Sequence, residues 1–294
     1  MKKLVFDVGA SAVKYALMDQ DATIYEKGKQ PTPHESLDQF LAVLKDIYEL
    51  YKNQVDGIAL SIPGTVEAET GQIYAPGGLT YNENVNLADQ IHTFADVPVY
   101  LENDGKSAAL AEIWKGNLKD HQSGIVLVLG SGIGGGIVKD GHLWKGAHLF
   151  AGEFSYILGD QMGSFMDVFA MKASTTALIM QTAQRKGLDM QKLNGIKVFE
   201  MIEEGDEDAC AALQFVVENL AKGIFNLQCI LDPEKVLIGG GISQQPILIK
   251  KLKEEMEALY AKIPFEIPHA QIDTCRYYND SNLIGALYHL LNHM

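Results

Sequence analysis

The chain has 294 residues, 47% of them hydrophobic and 21% charged, with a formal net charge of −14. That length allows one large domain or two modest ones, each with a buried core, and the composition is that of a globular rather than a disordered protein. The acidic balance and the lack of any Lys/Arg cluster argue against binding to a nucleic-acid backbone. Cys210, Cys229 and Cys275 are far apart with no C-x-x-C spacing, which argues against a zinc or disulfide framework and for a reducing compartment. The apolar run after Lys2 and Lys3 is broken by Asp7, Lys14 and Asp19 before it reaches membrane-spanning length, so a cytoplasmic protein is expected.

Residues 3–7 read as a strand, 9–12 as a turn and 13–18 as a returning strand. Between residues 35 and 53, Leu37, Phe40, Leu41, Leu44, Ile47, Tyr48 and Tyr51 recur at three- and four-residue steps, the spacing of an amphipathic helix. Residues 56–62 form a strand closed by Pro63-Gly64, and 71–74 a short one. Ala75-Pro76-Gly77-Gly78 then opens a polar loop towards a helix near 87–94.

In LENDGKSAALAE, residues 101–112, a β-type run over 97–101 stops at Glu102-Asn103-Asp104-Gly105 and an Ala-rich helix begins at once. Such a junction presents short polar side chains at the carboxyl end of a sheet, where open α/β folds hold their ligands. The commoner use of Asn103 or Asp104 at such a place is to cap the helix.

Residues 124–129 are apolar β-formers, followed by GSGIGGG at 130–136, then Ile137-Val138 and a Lys-Asp-Gly turn. The G-x-G-x-x-G pattern is not a dinucleotide fingerprint here, because a strand and not a helix follows it. A glycine-rich hairpin tip can still aim N–H groups at a phosphate. This hairpin repeats the order strand, glycine turn, strand, acidic turn of the N-terminal one, as though the chain held two related halves dividing near residue 110. Glu153 is an isolated acid within Ala151-Gly152-Glu153-Phe154. Helical patterns cover 166–186, 196–203 and 206–231. A strand at 235–238 then runs into Gly239-Gly240-Gly241-Ile242-Ser243 ahead of a helix at 246–262. This third glycine turn suits the base or ribose side of a nucleotide, or is a tight connection with no ligand. A helix at 281–291 closes the chain.

Taken in order, DVGASAVK, LSIPG, LENDGKSAALAE, VLGSGIGGGIVKDGHLWKG, AGEF and VLIGGGIS resemble the ROK family of sugar kinases and related repressors over nearly the whole length. The resemblance implies an α/β protein with the two-lobed actin/hexokinase/Hsp70-like (ribonuclease H-like) fold and a duplicated core. Its N-terminal lobe would be 1–110, completed by helix 281–294, and its C-terminal lobe 111–280. It implies an ATP-dependent kinase acting on a hexose or hexose derivative at the 6-hydroxyl, working as a cytoplasmic homodimer that contacts its second half.

By that resemblance Asp104 is the general base. Asn103 and Glu153 hold neighbouring hydroxyls, and Gly64, Gly78 and Tyr156 line the sugar. Asp7, Gly9 and Ser11 of the first turn, with Gly130, Ser131, Gly132, Gly134 and Gly135 of the second, lie at the phosphates; Lys14 either reaches phosphate or is simply a solvated hairpin lysine. Asp7 places Mg²⁺ through its waters, and Gly240 and Gly241 lie by the adenosine. Two departures stand out. Ala10 and Ser11 replace the second Gly and the Thr of the family's D-x-G-G-T, with the hydroxyl kept. After Glu153, where the family places Gly-His and a Cys-rich zinc motif, this chain has Ser155-Tyr156 and no cysteine. No structural zinc is therefore expected, and the sugar contact that the family's histidine makes is lost or is replaced by Tyr156. Zinc-free members of the family include kinases of β-glucosides and other hexose derivatives; glucose, cellobiose, N-acetylmannosamine and fructose remain open as substrates. Two alternatives are a sugar-responsive regulator, for whose N-terminal helix-turn-helix a first strand at Lys3 leaves no room, and a catalytically inactive sugar- or nucleotide-binding protein.

Overall fold

The computed structural model describes residues 1–159 and 164–294. In chain order it contains β1 (Lys2–Val8), β2 (Ala12–Met18), β3 (Ile24–Pro31), α1 (Leu37–Tyr51), β4 (Val55–Ile62), β5 (Thr65–Glu67), β6 (Gln72–Ala75), β7 (Val85–Asn86), α2 (Leu87–His92), β8 (Val99–Asn103) and α3 (Asp104–Trp114). There follow β9 (Gly124–Leu129), β10 (Ile133–Lys139), β11 (His142–Trp144), α4 (Ala170–Ala173), α5 (Thr175–Lys186), α6 (Gly195–Glu203), α7 (Glu207–Leu231), β12 (Lys235–Gly239), α8 (Pro246–Tyr260), β13 (Gln271–Thr274) and α9 (Ser281–Leu291). These group into two compact units. The first comprises Met1–Gly116, Leu143–Ala151 and Asp280–Met294, the second Asn117–His142 and Gly152–Asn279. No helix among the described residues is long and apolar enough to cross a membrane.

The first unit is built on a sheet of order β3-β2-β1-β4-β8, antiparallel through β3-β2-β1 and parallel from β1 through β4 to β8. Leu4, Val5 and Phe6 of β1 are all buried, as a strand covered on both faces requires. Phe40, Leu44 and Ile47 of α1 join Leu4, Phe6, Ile58 and Leu60 in one apolar cluster; each such side chain contributes about 1.5–3 kcal/mol on leaving water. Ser36 starts α1 by accepting the Gln39 N–H at 3.3 Å. Helix α9 packs on β1, β4 and β8 and against α3. The α3–α9 approach demands glycine at 285, where a Cβ would lie 1.7 Å from the Ser107 carbonyl oxygen.

The second unit repeats the arrangement, with sheet order β11-β10-β9-β12-β13. Ile125, Val126 and Leu127 of β9 and Val236, Leu237 and Ile238 of β12 are buried, and α7 contributes Leu213, Val216, Val217 and Leu220 to the core.

Several expectations need correction. Strand β8 does not stop at Leu101 but runs on through Glu102 and Asn103, which pair with Ser61 and Ile62 of β4. The helix expected over 166–186 is broken at Ser174, whose backbone is extended (φ −91°, ψ 175°) and whose hydroxyl accepts the Ala177 N–H at 3.1 Å to start α5. The glycine run 130–136 is not one turn. Gly134, Gly135 and Gly136 belong to β10 and pair with Val128, Leu127 and Val126. A Cβ on Gly135 would meet the Val126 carbonyl oxygen at 1.9 Å and the Phe154 ring at 2.9 Å, so packing accounts for that glycine. Among the strands not anticipated are β3 and β13. Both lie at sheet edges and carry exposed polar residues, which hides the alternation by which strands are recognised.

Candidate active site

In the first unit the β8–α3 junction separates two roles that the sequence left open between neighbours. Asn103 is the cap: its Oδ1 accepts the Lys106 N–H at 3.1 Å while its Nδ2 donates to the Gly64 carbonyl at 2.9 Å. Asp104 is therefore not needed for that cap. It is the first residue of α3, half-buried, with Oδ1 accepting the Gly105 N–H at 2.8 Å. Directly before them sits Glu102, fully buried. Its Oε1 accepts the Asn103 N–H at 2.8 Å and its Oε2 pairs with the Lys145 ammonium at 2.5 Å. A fully buried carboxylate is sustained only by such partners, and here they brace the strand end that carries Asp104. Gly64 adopts φ +110°, and a Cβ there would lie 2.1 Å from the Ala75 carbonyl oxygen. Gly78 is exposed and open on its side-chain side.

Asp7, at the end of β1, is 4% exposed. Its Oδ2 pairs with Lys14 Nζ at 3.0 Å across the hairpin and its Oδ1 accepts from Asn282 Nδ2 of α9 at 2.9 Å. Lys14 is thus tied to Asp7. The turn carrying Gly9 and Ser11 is pinned by Thr32, a residue without a sequence signal. The Thr32 hydroxyl donates to the Gly9 carbonyl at 2.7 Å and its N–H to the Ser11 carbonyl at 3.3 Å. Two acceptor sites on Asp7 are occupied, and a carboxylate offers about four, so it fits the outer-sphere anchoring of Mg²⁺. Among the described residues no group of three or more His, Cys, Asp or Glu side chains could cage a metal unaided. Mg²⁺ typically takes its remaining ligands from water and substrate phosphates.

Burial, helped by the positive charges of Lys145 and His293, drives His289 of α9 down to about 3. It is a neutral side chain within the field of Lys145 at any ordinary pH.

The second unit holds a cavity of ≈ 760 Å³. Gly130 and Ser131 of the β9–β10 turn line it together with Gly241 of the turn after β12, so two of the three glycine turns meet there. They are packed backbone to backbone: Gly240 has φ +88°, and a Cβ on it would lie 2.2 Å from the Leu129 carbonyl oxygen. Gly130 and Gly241, in contrast, have no heavy atom within 4 Å of the Cβ position, so nothing in the protein requires glycine there. Their side-chain positions face open space. Gly132, Gly134, Gly135 and Gly240 are not among the lining residues.

The cavity also takes residues that sequence reasoning missed. The first turns of α5 (Thr175, Thr176) and α6 (Asn194, Gly195) open onto it, as do Gln244 and Gln245. Thr175 fastens α5 to the glycine turn, its N–H donating to the Gly130 carbonyl and its hydroxyl to the Leu129 carbonyl, both at 3.1 Å. The signals were present as cap residues, Ser174 and Asn194, but a helix drawn over 166–186 runs across the first, and one begun at 196 omits the second.

Glu153 is half-buried and precedes the turn Phe154–Tyr156; Tyr156 is 53% exposed. This segment rests on β10, since a Cβ on Gly152 (φ +87°) would lie 3.0 Å from the Gly135 carbonyl oxygen. The glycines of β10 therefore serve to seat the Glu153 segment. Ser155 ties the turn down, accepting the Ile133 N–H at 2.9 Å and donating to the Ile133 carbonyl at 3.1 Å. In the stretch where the zinc motif was expected to be missing, residues 160–163 lie outside the described residues; on either side the Gly159 N–H donates to the Asp167 carbonyl at 2.9 Å.

The ROK family model matches residues 4–292. The chain belongs to the ROK family. Among ROK relatives, the β-glucoside kinase of Listeria monocytogenes is 32% identical over 294 residues, 99% of this chain and 98% of that protein. A solved L. monocytogenes structure described as a candidate N-acetylmannosamine kinase superposes with TM-score 0.90 at 30% identity, covering 100% of this chain and 99% of the other. A ROK protein of Streptococcus pneumoniae in complex with sucrose gives TM-score 0.89 at 29% identity, with the same coverage of 100% and 99%. The fold is thus the actin/hexokinase-like fold of the ROK sugar kinases.

Proposed function

We propose that this ROK protein is an ATP-dependent kinase that transfers the γ-phosphoryl group to the 6-hydroxyl of a hexose or hexose derivative, with β-glucosides the first class to test. The observation that carries the reading is the meeting of the Gly130-Ser131 and Gly241 turns in one open cavity large enough for a nucleoside. The naming of a 32% identical relative as a β-glucoside kinase supports the acceptor class.

Phosphoryl transfer is mostly positioning and charge neutralisation. In this reading Asp104 accepts the proton of the attacking hydroxyl, and its place is braced by the Asn103 cap and the Glu102 pair beneath it. Asn103 retains one N–H and part of its oxygen's acceptor capacity after its two protein contacts, enough to hold one neighbouring hydroxyl. Glu153 holds another, with Gly64, Gly78 and Tyr156 lining the sugar. The turns carrying Gly9, Ser11, Gly130 and Ser131 receive the phosphates. The Gly9 and Gly130 N–H groups already donate to the Ala12 and Gly132 carbonyls, both at 3.0 Å, so the N–H groups of Ser11 and Ser131 are the ones aimed at phosphate, and Asp7 would hold Mg²⁺ through water. That ion, when bound, neutralises charge on the phosphates. The same reading has the protein act as a cytoplasmic homodimer, which light scattering of the purified chain tests.

The deciding experiment is ADP release from ATP and Mg²⁺ over a panel of glucose, cellobiose and other β-glucosides, N-acetylmannosamine, N-acetylglucosamine and fructose, with the phosphorylated carbon identified by NMR. Turnover with at least one sugar, phosphorylated at its primary hydroxyl, is expected. A flat response to every sugar would favour a binding protein without activity.

A further inference from the structure

The cavity of the second unit has a chemical peculiarity in so acidic a protein: among the described residues, none that lines it is ionisable. Its apolar walls come from Ile179, Phe199 and Ile242, which can grip the faces of a flat ring system by dispersion, whatever hydrogen-bond pattern the ring's edge carries. The edge itself would meet only neutral side chains, amides and the hydroxyls of Ser131, Thr175 and Thr176. A hydroxyl can donate or accept, so those not already committed, as that of Thr175 is to the Leu129 carbonyl, select no base. The side chains of Gln244, Gln245 and Asn279 line the cavity and make no hydrogen bond to the protein among the described residues. A primary amide turned by 180° exchanges its acceptor for its donors, so each of these can answer either partner. Asn194 is the exception, since its Oδ1 is committed to the Lys197 N–H at 3.0 Å and its NH₂ is left as a fixed donor. A single fixed donor does not discriminate, because both purines offer an N7 acceptor.

Strong rejection of a wrong base requires fixed polar groups that the wrong base would leave unpaired. The lining shows no such set. Resting on the nucleotide reading of this cavity, we infer that the pocket takes purine nucleoside triphosphates as a class and distinguishes guanine only weakly from adenine.

The test is kcat/KM for MgATP and MgGTP at saturating sugar, with direct titration of MgADP and MgGDP by calorimetry. The expected ratio of kcat/KM between the two lies within about 30-fold, well short of the 10⁴-fold or more that a site built to read a base edge achieves. A larger ratio, in either direction, overturns the inference. Gln245→Leu should lower the efficiency with both nucleotides by a similar factor; a loss confined to one would show that Gln245 reads the base edge and would equally overturn it. Failure of both ADP and GDP to bind a folded protein sinks the nucleotide reading of the cavity itself, whereas ADP binding without GDP binding sinks only the weak selectivity.

Discussion

The two sheets share one strand order and put opposite chemistry at the same register position. Counting back one pair from the tip of each hairpin, β1–β2 has Asp7 opposite Lys14, and β9–β10 has Val128 opposite Gly134. Continuing across the parallel strands, the first sheet adds Ser61 and then Glu102, whereas the second adds Gly239. One copy of the motif thus became a row of buried polar and charged groups, held by Lys14, Asn282 and Lys145. The other became a smooth apolar and glycine surface whose turns open on an uncharged cavity. A duplicated backbone does not commit its copies to one chemistry; the side chains at the strand ends divide the work.

That division can be broken most sharply at Asp104. Asp104→Asn keeps the shape and, because Asn103 is the cap, should keep the fold, yet turnover should fall by about 10²–10⁴-fold, the range a positioned general base supplies. Steady-state ADP release and a thermal melt run on the same sample check both halves, and near-native turnover would remove Asp104 from the role of base.

Next in size is the buried pair beneath it. Lys145→Met leaves the Glu102 carboxylate in the interior without its cation and should cost about 3–5 kcal/mol in urea unfolding. The double variant Glu102→Gln/Lys145→Met should recover much of that loss, and an equal loss in both would mean that the pair is not what holds the strand end.

Glycines sharpen the contrast within the second unit. Gly240→Ala forces a Cβ against the Leu129 carbonyl at φ +88° and should destabilise by about 1–3 kcal/mol or more. Gly241→Val meets open space, so its melting temperature should stay near that of the parent while its KM for ATP rises several-fold. If instead Gly241→Val unfolds the protein and binds nucleotide normally, the cavity is not the nucleotide's.

The smallest effect per step is a pH dependence confined to the first unit. His289 titrates near 6.5 in an unfolded chain but only at about 3 when folded. Below pH 6.5 the unfolded chain takes up a proton that the folded one refuses, so stability falls as pH drops, by about 1.4 kcal/mol per unit, until the folded value is reached. His289→Gln should flatten this slope in denaturation curves between pH 6.5 and 4.5, and an unchanged slope would show that other groups set it.

Much of the architecture was legible in the chain. The apolar runs of β1, β4, β9 and β12 and the three- and four-residue steps of α1 and α7 are local patterns, and so are the Pro-Gly and Gly-rich breaks between them. The repeated hairpin order was visible for the same reason, and the two sheets do share their topology. What escaped depends on partners distant in sequence. Edge strands β3 and β13 are polar because solvent covers them, so nothing in their composition marks them. Ser174 breaks a helix that its periodicity alone would continue, because α5 is fastened at Thr175 to the carbonyls of Gly130 and Leu129, some 45 residues earlier.

The glycine-rich run shows the boundary most plainly. By itself the sequence determined that residues 130–136 have little side-chain bulk and follow a buried strand. Only the tertiary structure decided which glycines border open space and which make room for the protein. Gly130 borders open space, while Gly135 lies beneath Phe154 and Gly240 lies against Leu129. The physical reason is that a missing Cβ is the same in every glycine, and its consequence is set by what the rest of the fold brings to within a few ångströms of the vacant position.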